Sequence, residues 1–536
     1  MATLDARASL SSGGGGDMHA AATLDLLVLT FNCAKQLINP GVFARHLRWA
    51  MRRNSGGVLP EVVVLSLQEV APLSKAFVGE YFLREYWERF EEAVNGAAMT
   101  MTTKRKKTKT KETATTASTM TMTTTTTEPP PYTLIKVRNV GYTAIMLFAR
   151  HSARLSAVHE AEVGFGAADM GNKGAIGLRT LYSDDDGRTT ELTFVATHLA
   201  AMEWNLPRRN ANWAAIMRGL TFANPEGVLL AEEEEGVEGE DEDDEGARLL
   251  NGDEDDDDDN RQHARLRRRL HDLSVYKPSS HLFVAGDLNY RIASTPPPPG
   301  ASLPSLDPRS QHHFRTFLPL DQLTRERLAG RTLHGLVEAP VTFPPTYKYH
   351  LSKGGRDGDG DGEGGYYDES KHYEDEDEDE DVGGDNEKDV VRWRFASHRW
   401  PAWTDRILYL DVPSWLQGQR RMHVRAYDAL PVVRTSDHRA VFLRVDVPLV
   451  APADLVPRPS SSSSSSSSSD AAEDPRLRLP AEIDPEAWAR RRAARQKERL
   501  LGWTMLLWSS PEGAWVLLAS LVVAAGGAYW FYYAGV

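Results

Sequence analysis

The sequence predicts one mixed α/β domain that several low-complexity segments interrupt. Short, bounded apolar runs recur along the chain, as is typical of strands inside a parallel sheet or a sandwich. Helical segments are predicted where Arg208 opens a new region and over Phe314 to Leu328, where acids and bases are mixed. The predicted strands are Leu24 to Phe31, Val62 to Leu67, Thr143 to Phe148, Leu192 to Thr197, His281 to Ala285, Ile407 to Leu410 and Ala440 to Val445.

Low-complexity segments occupy much of the 536-residue chain. Residues 232–259 contain 18 acids against one base, and residues 357–381 contain 14 acids against one base. Such segments bury too little apolar surface to offset the entropy of the chain. We therefore predict a disordered N-terminus at 1–22, a folded domain at 23–448 with insertions at about 97–131, 224–262 and 352–390, and a linker at 449–512.

The charge balance differs between the acidic runs and the rest of the chain. The formal net charge is −14, but the two acidic runs together carry −30, so the remainder carries +16. That excess suits a polyanionic partner, which includes phosphate, nucleic acid and an anionic membrane. The single cysteine, Cys33, excludes an intramolecular disulfide and a cysteine-based zinc site, which suits a reducing compartment. Residues 1–20 lack the apolar region of a secretory signal.

The most informative stretch is HLFVAGDLNYRI, from His281 to Ile292. An apolar strand ends at Gly286, and Asp287 and Asn289 then point to the same side of the chain. A carboxylate there can take a proton from water or hold a metal, and an amide can orient a phosphate oxygen. On these residues alone, an Asx-rich turn after a strand is the alternative.

Polar residues also follow other predicted strands. Asn32 ends the first strand, Glu69 follows the second, and His198 follows Leu192 to Thr197. Strands that end in this way place polar groups on one edge of a sheet. The pair Arg208-Arg209 then suits either phosphate binding or the solvated start of a helix.

Three loops add further polar groups. In Gly171 to Gly174, glycines flank Asn172 and Lys173, which allows backbone approach to an anion, although a hairpin turn explains the pattern equally well. Two prolines stiffen the loop that presents Tyr347 and Lys348. His438 precedes the last strand and needs a carboxylate to fix its tautomer; Asp405 is the candidate.

Taken in order, these motifs resemble the inositol polyphosphate 5-phosphatase family, within the endonuclease/exonuclease/phosphatase superfamily. The resemblance runs from Leu24 to Val447, outside the insertions, and four departures (Ala175, Met202, His350 and Thr404) leave the fine substrate preference open. It implies a four-layer α/β sandwich of two packed mixed sheets flanked by helices, with the site at one edge. The motifs are TFN, QE, GNKGAIGL, THLAA, RRN, GDLNYRI, TFPPTYKY, WPAWTDRIL and SDH.

The resemblance also implies a role for each site residue. As catalytic groups, Asp287 prepares the attacking water with Asn289 beside it, and Asp405 orients His438, which stabilises the phosphoryl oxygens. His198 contacts the scissile phosphate. The implied Mg²⁺ ligands are Glu69 and Asn32, with Asp437 nearby. The implied readers of the substrate phosphates are Asn172, Lys173, Arg208, Tyr347, Lys348 and Arg399.

The C-terminal 24 residues, Gly513 to Val536, carry no charge. As a helix they would span ~36 Å, against a hydrocarbon core of ~30 Å. The basic residues between Arg490 and Arg499 predict a cytosolic N-terminal side. The alternative is a buried C-terminal helix. The arrangement resembles a fungal tail-anchored 5-phosphatase of the endoplasmic reticulum, with a flexible linker that lets the domain reach the membrane.

The sequence thus predicts an enzyme that uses Mg²⁺ to hydrolyse the 5-phosphate of phosphatidylinositol 4,5-bisphosphate on a cytosol-facing membrane, with other 5-phosphorylated inositol lipids as further substrates. Its expected partners are the phosphoinositide and the membrane, and no nucleic acid is expected. The sequence leaves two other functions open. One is a nucleic-acid phosphodiesterase of the same superfamily, and the other is a non-catalytic phosphoinositide-binding tether.

Overall fold

The computed structural model describes residues 22–111, 129–230, 254–352, 367–368, 391–416, 421–457, 474–509 and 511–534. The predicted disordered N-terminus lies outside these ranges except for its last residue. The central parts of the three predicted insertions and the serine run at 460–469 also lie outside them.

The strands form two large sheets and one small one. The six-stranded sheet has the order β13-β14-β1-β2-β4-β3, the five-stranded sheet β12-β8-β7-β6-β5, and the small sheet β10-β11-β9. The pairs β1–β2 and β7–β8 are parallel. In chain order the strands are β1 Thr23–Asn32, β2 Val62–Gln68, β3 Thr133–Val140, β4 Thr143–Ala149, β5 Leu155–Gly164, β6 Gly174–Ser183, β7 Thr189–His198, β8 Ser280–Asp287, β9 Tyr349–Leu351, β10 Tyr367–Asp368, β11 Arg392–Phe395, β12 Asp405–Tyr409, β13 His423–Ala429 and β14 Val441–Pro448.

The helices connect the strands and extend the chain beyond the sheets. The 3₁₀ segment Phe314–Leu320 precedes a short α-helix, so the predicted helical region at 314–328 is confirmed. The α-helices with their own bounds are α1 Pro40–Arg52, α2 Leu73–Val78, α3 Glu80–Lys111, α4 Leu206–Gly219, α5 Glu254–Leu273, α6 Gln322–Leu328, α7 Pro452–Leu455, α8 Ala487–Ser509 and α9 Pro511–Ala534.

The two large sheets pack face to face, and helices cover their outer faces. Alternation along β1 sends Leu26 and Val28 into the core between the sheets and Leu27 and Leu29 into the core under α1 and α3. On the other side, β7 and β8 bury Val195 and Val284 in one core with Trp213 of α4. Because both faces of each sheet are covered, the central strands are mostly apolar on both faces. The predicted four-layer α/β sandwich is confirmed.

All seven predicted strands are confirmed as β1, β2, β4, β7, β8, β12 and β14. The strands β3, β5 and β13, which the apolar runs did not predict, all lie at sheet edges. Several of their side chains are half-buried or exposed, so their sequences mix charged and apolar residues. An edge strand of this kind gives no continuous apolar run to recognise.

The structure corrects the prediction of a linker at 449–512. Helix α8 packs against α2 and β5, and its buried residues recur at the spacing of one helix face. Sequence reasoning recognised the basic residues but missed this stripe, which makes the described part of the segment part of the folded domain. The buried positions are Ala487, Arg491, Ala494, Glu498, Gly502 and Leu506.

Two further boundaries concern α3 and the C-terminus. Ala97, Ala98 and Met101 of α3 are core residues, so the first insertion begins later than the predicted residue 97. The helix Gly513–Ala534 has a mean hydropathy of 1.7, and none of its most apolar stretch is buried against the rest of the protein. This helix is long and apolar enough to cross a membrane, and it is not a buried C-terminal helix.

Candidate active site

Polar side chains from both large sheets meet at one edge of the sandwich. Asp287 ends β8, and the strand register sets it between His198 of β7 and Asp405 of β12. Asn32 ends β1 in the facing sheet, and its Nδ2 donates to Asp287 Oδ2 at 2.9 Å. The polar residues that end β1, β7 and β8 therefore meet at one edge, as the strand-end pattern predicts.

Asp287 has several polar partners. The backbone N–H of Asn289 donates to Asp287 Oδ1 at 3.1 Å, and Asn289 has a left-handed φ of 57°. His198 Nε2 lies 3.3 Å from Asp287 Oδ2. Burial raises the pKa of Asp287, but His198, His438 and Lys173 lower it further than burial raises it. The carboxylate is therefore ionised at neutral pH.

Asp405 and His438 form a buried ion pair beside Asp287. His438 Nδ1 lies 2.9 Å from Asp405 Oδ2. The hydroxyls of Thr346 and Thr404 donate to the same oxygen, each at 2.8 Å. Burial opposes the charge of His438, yet the attraction of Asp405 raises the pKa of this imidazole to about 9. Side-chain atoms of Asp287, Asp405 and His438 lie within 4.8 Å of one another.

Lys173 enters the cluster from the loop before β6. Its Nζ contacts His198 Nε2. Burial lowers the pKa of Lys173 to about 8 and also lowers the pKa of His198. The neighbouring Asn172 keeps a buried Oδ1 without a hydrogen-bond partner among the described residues. This loop thus brings a cation to the edge where Asp287 lies, while Oδ1 of Asn172 lies close to Gly166.

Glu69 follows β2 with a left-handed φ of 46°. Its Oε2 lies 3.0 Å from Lys35 Nζ, and the side chain of Lys35 is 43% exposed. Burial raises the pKa of Glu69, but His198 and Lys35 lower it by more, so the carboxylate is ionised. Carboxylate and amide oxygens are the donors that Mg²⁺ prefers. Glu69 and Asn32 therefore carry the donor types that a hard divalent cation takes, and the partner of Glu69, Lys35, is partly exposed.

The predicted phosphate readers fall into two groups. Lys348 Nζ lies 3.0 Å from Asp437 Oδ2, and the ring of Tyr347 lies 4.4 Å from that of His438, so these residues border the cluster. Arg399 Nη1 pairs with Glu203 Oε2 at 2.5 Å. Arg208 stands apart, because its side chain is exposed on α4.

The neighbour of Arg208 takes a structural position that sequence reasoning did not assign. The guanidinium of Arg209 is buried and donates to the backbone carbonyls of Ala200 and Met202 at 3.2 and 2.7 Å. It therefore supports the loop that follows His198. The paired arginines thus differ in burial, which their sequence alone does not indicate.

Sequence reasoning also missed residues that hold the predicted ones. Arg291 donates to Asn289 Oδ1 at 2.5 Å, and its guanidinium lies 4.5 Å from the centre of the Tyr347 ring. It belongs to the motif GDLNYRI, which offered a signal. Thr404, noted only as a departure, hydrogen-bonds to Asp405. Glu203 has no signal in the sequence, because its role depends on a contact with the distant Arg399.

The sequence profile of endonuclease/exonuclease/phosphatase family 2 matches residues 29–357. The chain belongs to this family.

Two curated members that the chain is similar to carry 5-phosphatase names. One is phosphatidylinositol 3,4,5-trisphosphate 5-phosphatase 2B of Danio rerio, 25% identical over 62% of this chain and 20% of the relative. The other is inositol-1,4,5-trisphosphate 5-phosphatase 1 of Schizosaccharomyces pombe, 26% identical over 60% of this chain and 20% of the relative. The chain thus spans about a fifth of the length of these relatives. The resemblance predicted from the motifs is confirmed.

A solved structure is also similar to this member of the endonuclease/exonuclease/phosphatase family 2. It is the inositol polyphosphate 5-phosphatase domain of a synaptojanin in complex with inositol (1,4)-bisphosphate and a calcium ion. The similarity has a TM-score of 0.45 at 21% identity and covers 80% of this chain and 84% of that one.

Proposed function

We propose that this protein hydrolyses the 5-phosphate of phosphatidylinositol 4,5-bisphosphate. The observation that carries the proposal is the meeting of both sheets at one edge, where Asn32 bonds to Asp287 between His198 and Asp405. A carboxylate, an amide and two imidazoles at one point suit the attack of water on a phosphate ester. The 5-phosphatase names of two relatives support the choice of substrate class.

Asp287 holds the attacking water. Its carboxylate orients one water hydrogen and accepts that proton as the new bond to phosphorus forms. The bond between phosphorus and the inositol 5-oxygen breaks, and that oxygen takes up a proton from solvent. His438, held by Asp405 at 2.9 Å, and His198 donate hydrogen bonds to the phosphoryl oxygens. Fixed donors around these oxygens are the main source of rate in phosphoryl transfer.

Glu69 and Asn32 would hold the metal, with Asp437 near it. Mg²⁺ supplies charge neutralisation at the phosphate oxygens when it is bound. In the structure Glu69 is paired with Lys35 and Asp437 with Lys348. Both lysines are partly exposed, so each carboxylate can exchange its partner for a cation.

The other predicted phosphate readers contact the remaining phosphates of the inositol ring. Lys173 and Asn172 lie on one side of the cluster, and Tyr347, Lys348 and Arg399 lie on the other. We assign Lys348 to the 4-phosphate, because its loop borders His438 and its ammonium is a compact charge. Arg208 is exposed on α4, outside this group of phosphate readers. It would therefore contact the membrane or the outer part of the substrate.

The C-terminal helix anchors the enzyme to the membrane that contains its substrate. Gly513–Ala534 is long and apolar enough to cross a bilayer, and the bases that precede it favour a cytosolic catalytic domain. We assign the endoplasmic reticulum, whose thinner bilayer suits a moderate span. Confinement to one surface raises the effective concentration of lipid around the enzyme.

The test is phosphate release by full-length protein in lipid nanodiscs. The panel contains phosphatidylinositol 4,5-bisphosphate, the 3,4,5-trisphosphate, soluble inositol phosphates and abasic DNA. We expect release from the 5-phosphorylated inositol compounds and none from DNA. Cleavage of DNA would identify a nucleic-acid phosphodiesterase, and lipid binding without turnover would identify a tether.

A deletion of residues 513–536 tests the anchorage. The shortened protein should keep its rate on a short-chain soluble lipid and lose activity on cellular membranes. Extraction of the full-length protein from membranes by carbonate would contradict the anchorage, while leaving the activity unaffected.

A further inference from the structure

Helix α8, which leads directly into the apolar C-terminal helix, is seated tightly on the folded domain. At Gly502 an added Cβ would lie 2.8 Å from the Cβ of Phe77 and 3.0 Å from the backbone N of Val78. A larger residue at Gly502 would therefore force α8 away from α2. The helix lies against the domain along its buried stripe and does not behave as a spacer.

A buried carboxylate on α8 reaches the loop before β6. Glu498 is completely buried, and its Oε1 accepts a hydrogen bond from the backbone N–H of Gly171 at 2.7 Å. Arg491 donates to both oxygens of Glu498, at 2.5 and 3.0 Å, and to Glu162 Oε1 at 2.9 Å. The charge of Glu498 is thus paired, and one oxygen still serves the loop.

The same loop carries Lys173, two residues after Gly171. From the opposite side, Gly141 approaches so closely that an added Cβ would lie 2.1 Å from the carbonyl oxygen of Gly171. The loop is therefore held between residue 141 and Glu498. The side chain of Lys173 leaves this clamped backbone and contacts His198. A shift of the backbone at Gly171 would move the ammonium of Lys173 relative to the cluster.

We propose that Glu498 is a positioning residue of the active site, which holds the Gly171–Gly174 loop so that Lys173 and Asn172 face the substrate phosphates. Glu498 does not touch the substrate; it acts through the backbone of Gly171. The proposal rests on the proposed function for the identity of the substrate. It makes the helix next to the membrane span a working part of the catalytic domain, because small displacements of a positioned group lower the rate strongly.

Two double variants of the full-length protein isolate the hydrogen bond. Arg491→Met with Glu498→Leu replaces the buried ion pair by apolar side chains of similar volume, which proteins often tolerate. Arg491→Met with Glu498→Gln differs from it chiefly in keeping an oxygen that accepts from Gly171. Gln496→Ala, at an exposed position of the same helix, is the control.

The kinetic readout is turnover of soluble inositol 1,4,5-trisphosphate, which needs no membrane. We expect the Leu variant to raise KM by about tenfold, as the loss of a hydrogen bond to a charged group predicts. The Gln variant should stay within about threefold, since a neutral acceptor makes a weaker bond. In a Lys173→Met background the Leu variant should add little. Equal KM values for the Leu and Gln variants at equal Tm, or independent effects of Lys173 and Glu498, would overturn the proposal.

Hydrogen exchange at the amide of Gly171 tests the contact without any substrate. We expect protection in the wild type and the Gln variant and faster exchange in the Leu variant. Unprotected exchange of Gly171 in the wild type would overturn the proposal even where a variant does not fold. A wild type that releases no phosphate would refute the proposed function alone, because the exchange readout would still decide the role of Glu498.

Discussion

Asp405 and Arg406 are neighbours on β12, and both are buried charges, yet their surroundings differ. The guanidinium of Arg406 donates to both oxygens of Glu338, each at 2.6 Å, and to Asp321 Oδ2 at 3.0 Å. These contacts are internal and involve no residue of the polar cluster. Asp405 instead orients His438, whose Nε2 lies 4.0 Å from Asp437, beyond hydrogen-bond distance.

The contrast teaches how a buried charge that stabilises the fold differs from one that serves chemistry. Around Arg406, both oxygens of Glu338 and one oxygen of Asp321 accept from the guanidinium, so the charges pair within the chain itself. In the cluster around Asp405, the carboxylate oxygen Oδ1 of Asp405, an acceptor, and the ring nitrogen Nδ1 of His198 have no hydrogen-bond partner among the described residues. Burial and an unpartnered oxygen occur on both sides, since Asp321 Oδ1 beside Arg406 also has no hydrogen-bond partner among the described residues. What marks the site is that Asp405 shares one point with a second carboxylate and two imidazoles.

The largest effect is expected where the cluster loses its central carboxylate. Asp287→Asn should lower kcat by about a thousandfold, because the residue orients the water and accepts its proton. Its Tm should stay close to that of the wild type, since the amide keeps the shape of the carboxylate. Steady-state phosphate release together with thermal unfolding measures both quantities. Near-normal turnover by a folded variant would remove Asp287 from the mechanism.

The opposite result is expected on the structural side of the same strand. Arg406→Met should lower the free energy of unfolding by about 3–5 kcal/mol, because Glu338 and Asp321 lose their buried partner. Turnover per folded molecule at low temperature should be unchanged. Denaturant unfolding and active-site titration separate the two effects. A large loss of kcat without a loss of stability would place Arg406 in the site.

A smaller effect is expected for the proposed metal ligand. Glu69→Gln should raise the Mg²⁺ concentration for the half-maximal rate by about tenfold, equivalent to about 1.4 kcal/mol, and excess Mg²⁺ should restore part of the rate. Glu338→Gln is the matched control, because it changes a buried glutamate outside the cluster. It should lower stability and leave the Mg²⁺ titration unchanged. Identical titrations for Glu69→Gln and the wild type would show that Glu69 is not a ligand.

The smallest effect concerns substrate choice. Lys348→Ala should raise KM for the 4,5-bisphosphate by about tenfold, as the loss of a charge-assisted contact predicts. The same substitution should have less effect on a substrate that has a 5-phosphate without a 4-phosphate. Comparing KM for the two short-chain lipids gives the answer. Equal losses on both lipids would assign Lys348 to another phosphate or to Asp437 alone.

Sequence reasoning reached the central strands other than β6, and most of the cluster, because each signal was local. The run before Asp287 is apolar because β8 is buried on both faces, and the polar residues directly follow the strand ends. Edge strands such as β3 and β5 lack that signal. The pairing of Glu203 with Arg399 joins positions 196 residues apart. Nothing in the local pattern around either residue predicts such a contact.

In the C-terminal segment, too, local sequence patterns indicated the composition but not a long-range contact. Composition identified its charges and its apolar end, and the apolar helix is present. The packing of Glu498 against Gly171 depends on a contact 327 residues away in the chain. A helix that is rich in arginine resembles a solvated segment unless the spacing of its few inward-facing residues is examined.

The seating of α8 has a consequence for where the proposed enzyme finds its substrate. A free linker over residues 449–512 would have a root-mean-square reach of about 45 Å, enough to serve a second, apposed bilayer. Instead, position 510 alone separates α8, which ends at Ser509, from α9, which begins at Pro511. On the proposed anchorage the active site is confined to the bilayer that holds the helix. The enzyme then acts in cis, and its supply of lipid depends on lateral diffusion within one leaflet.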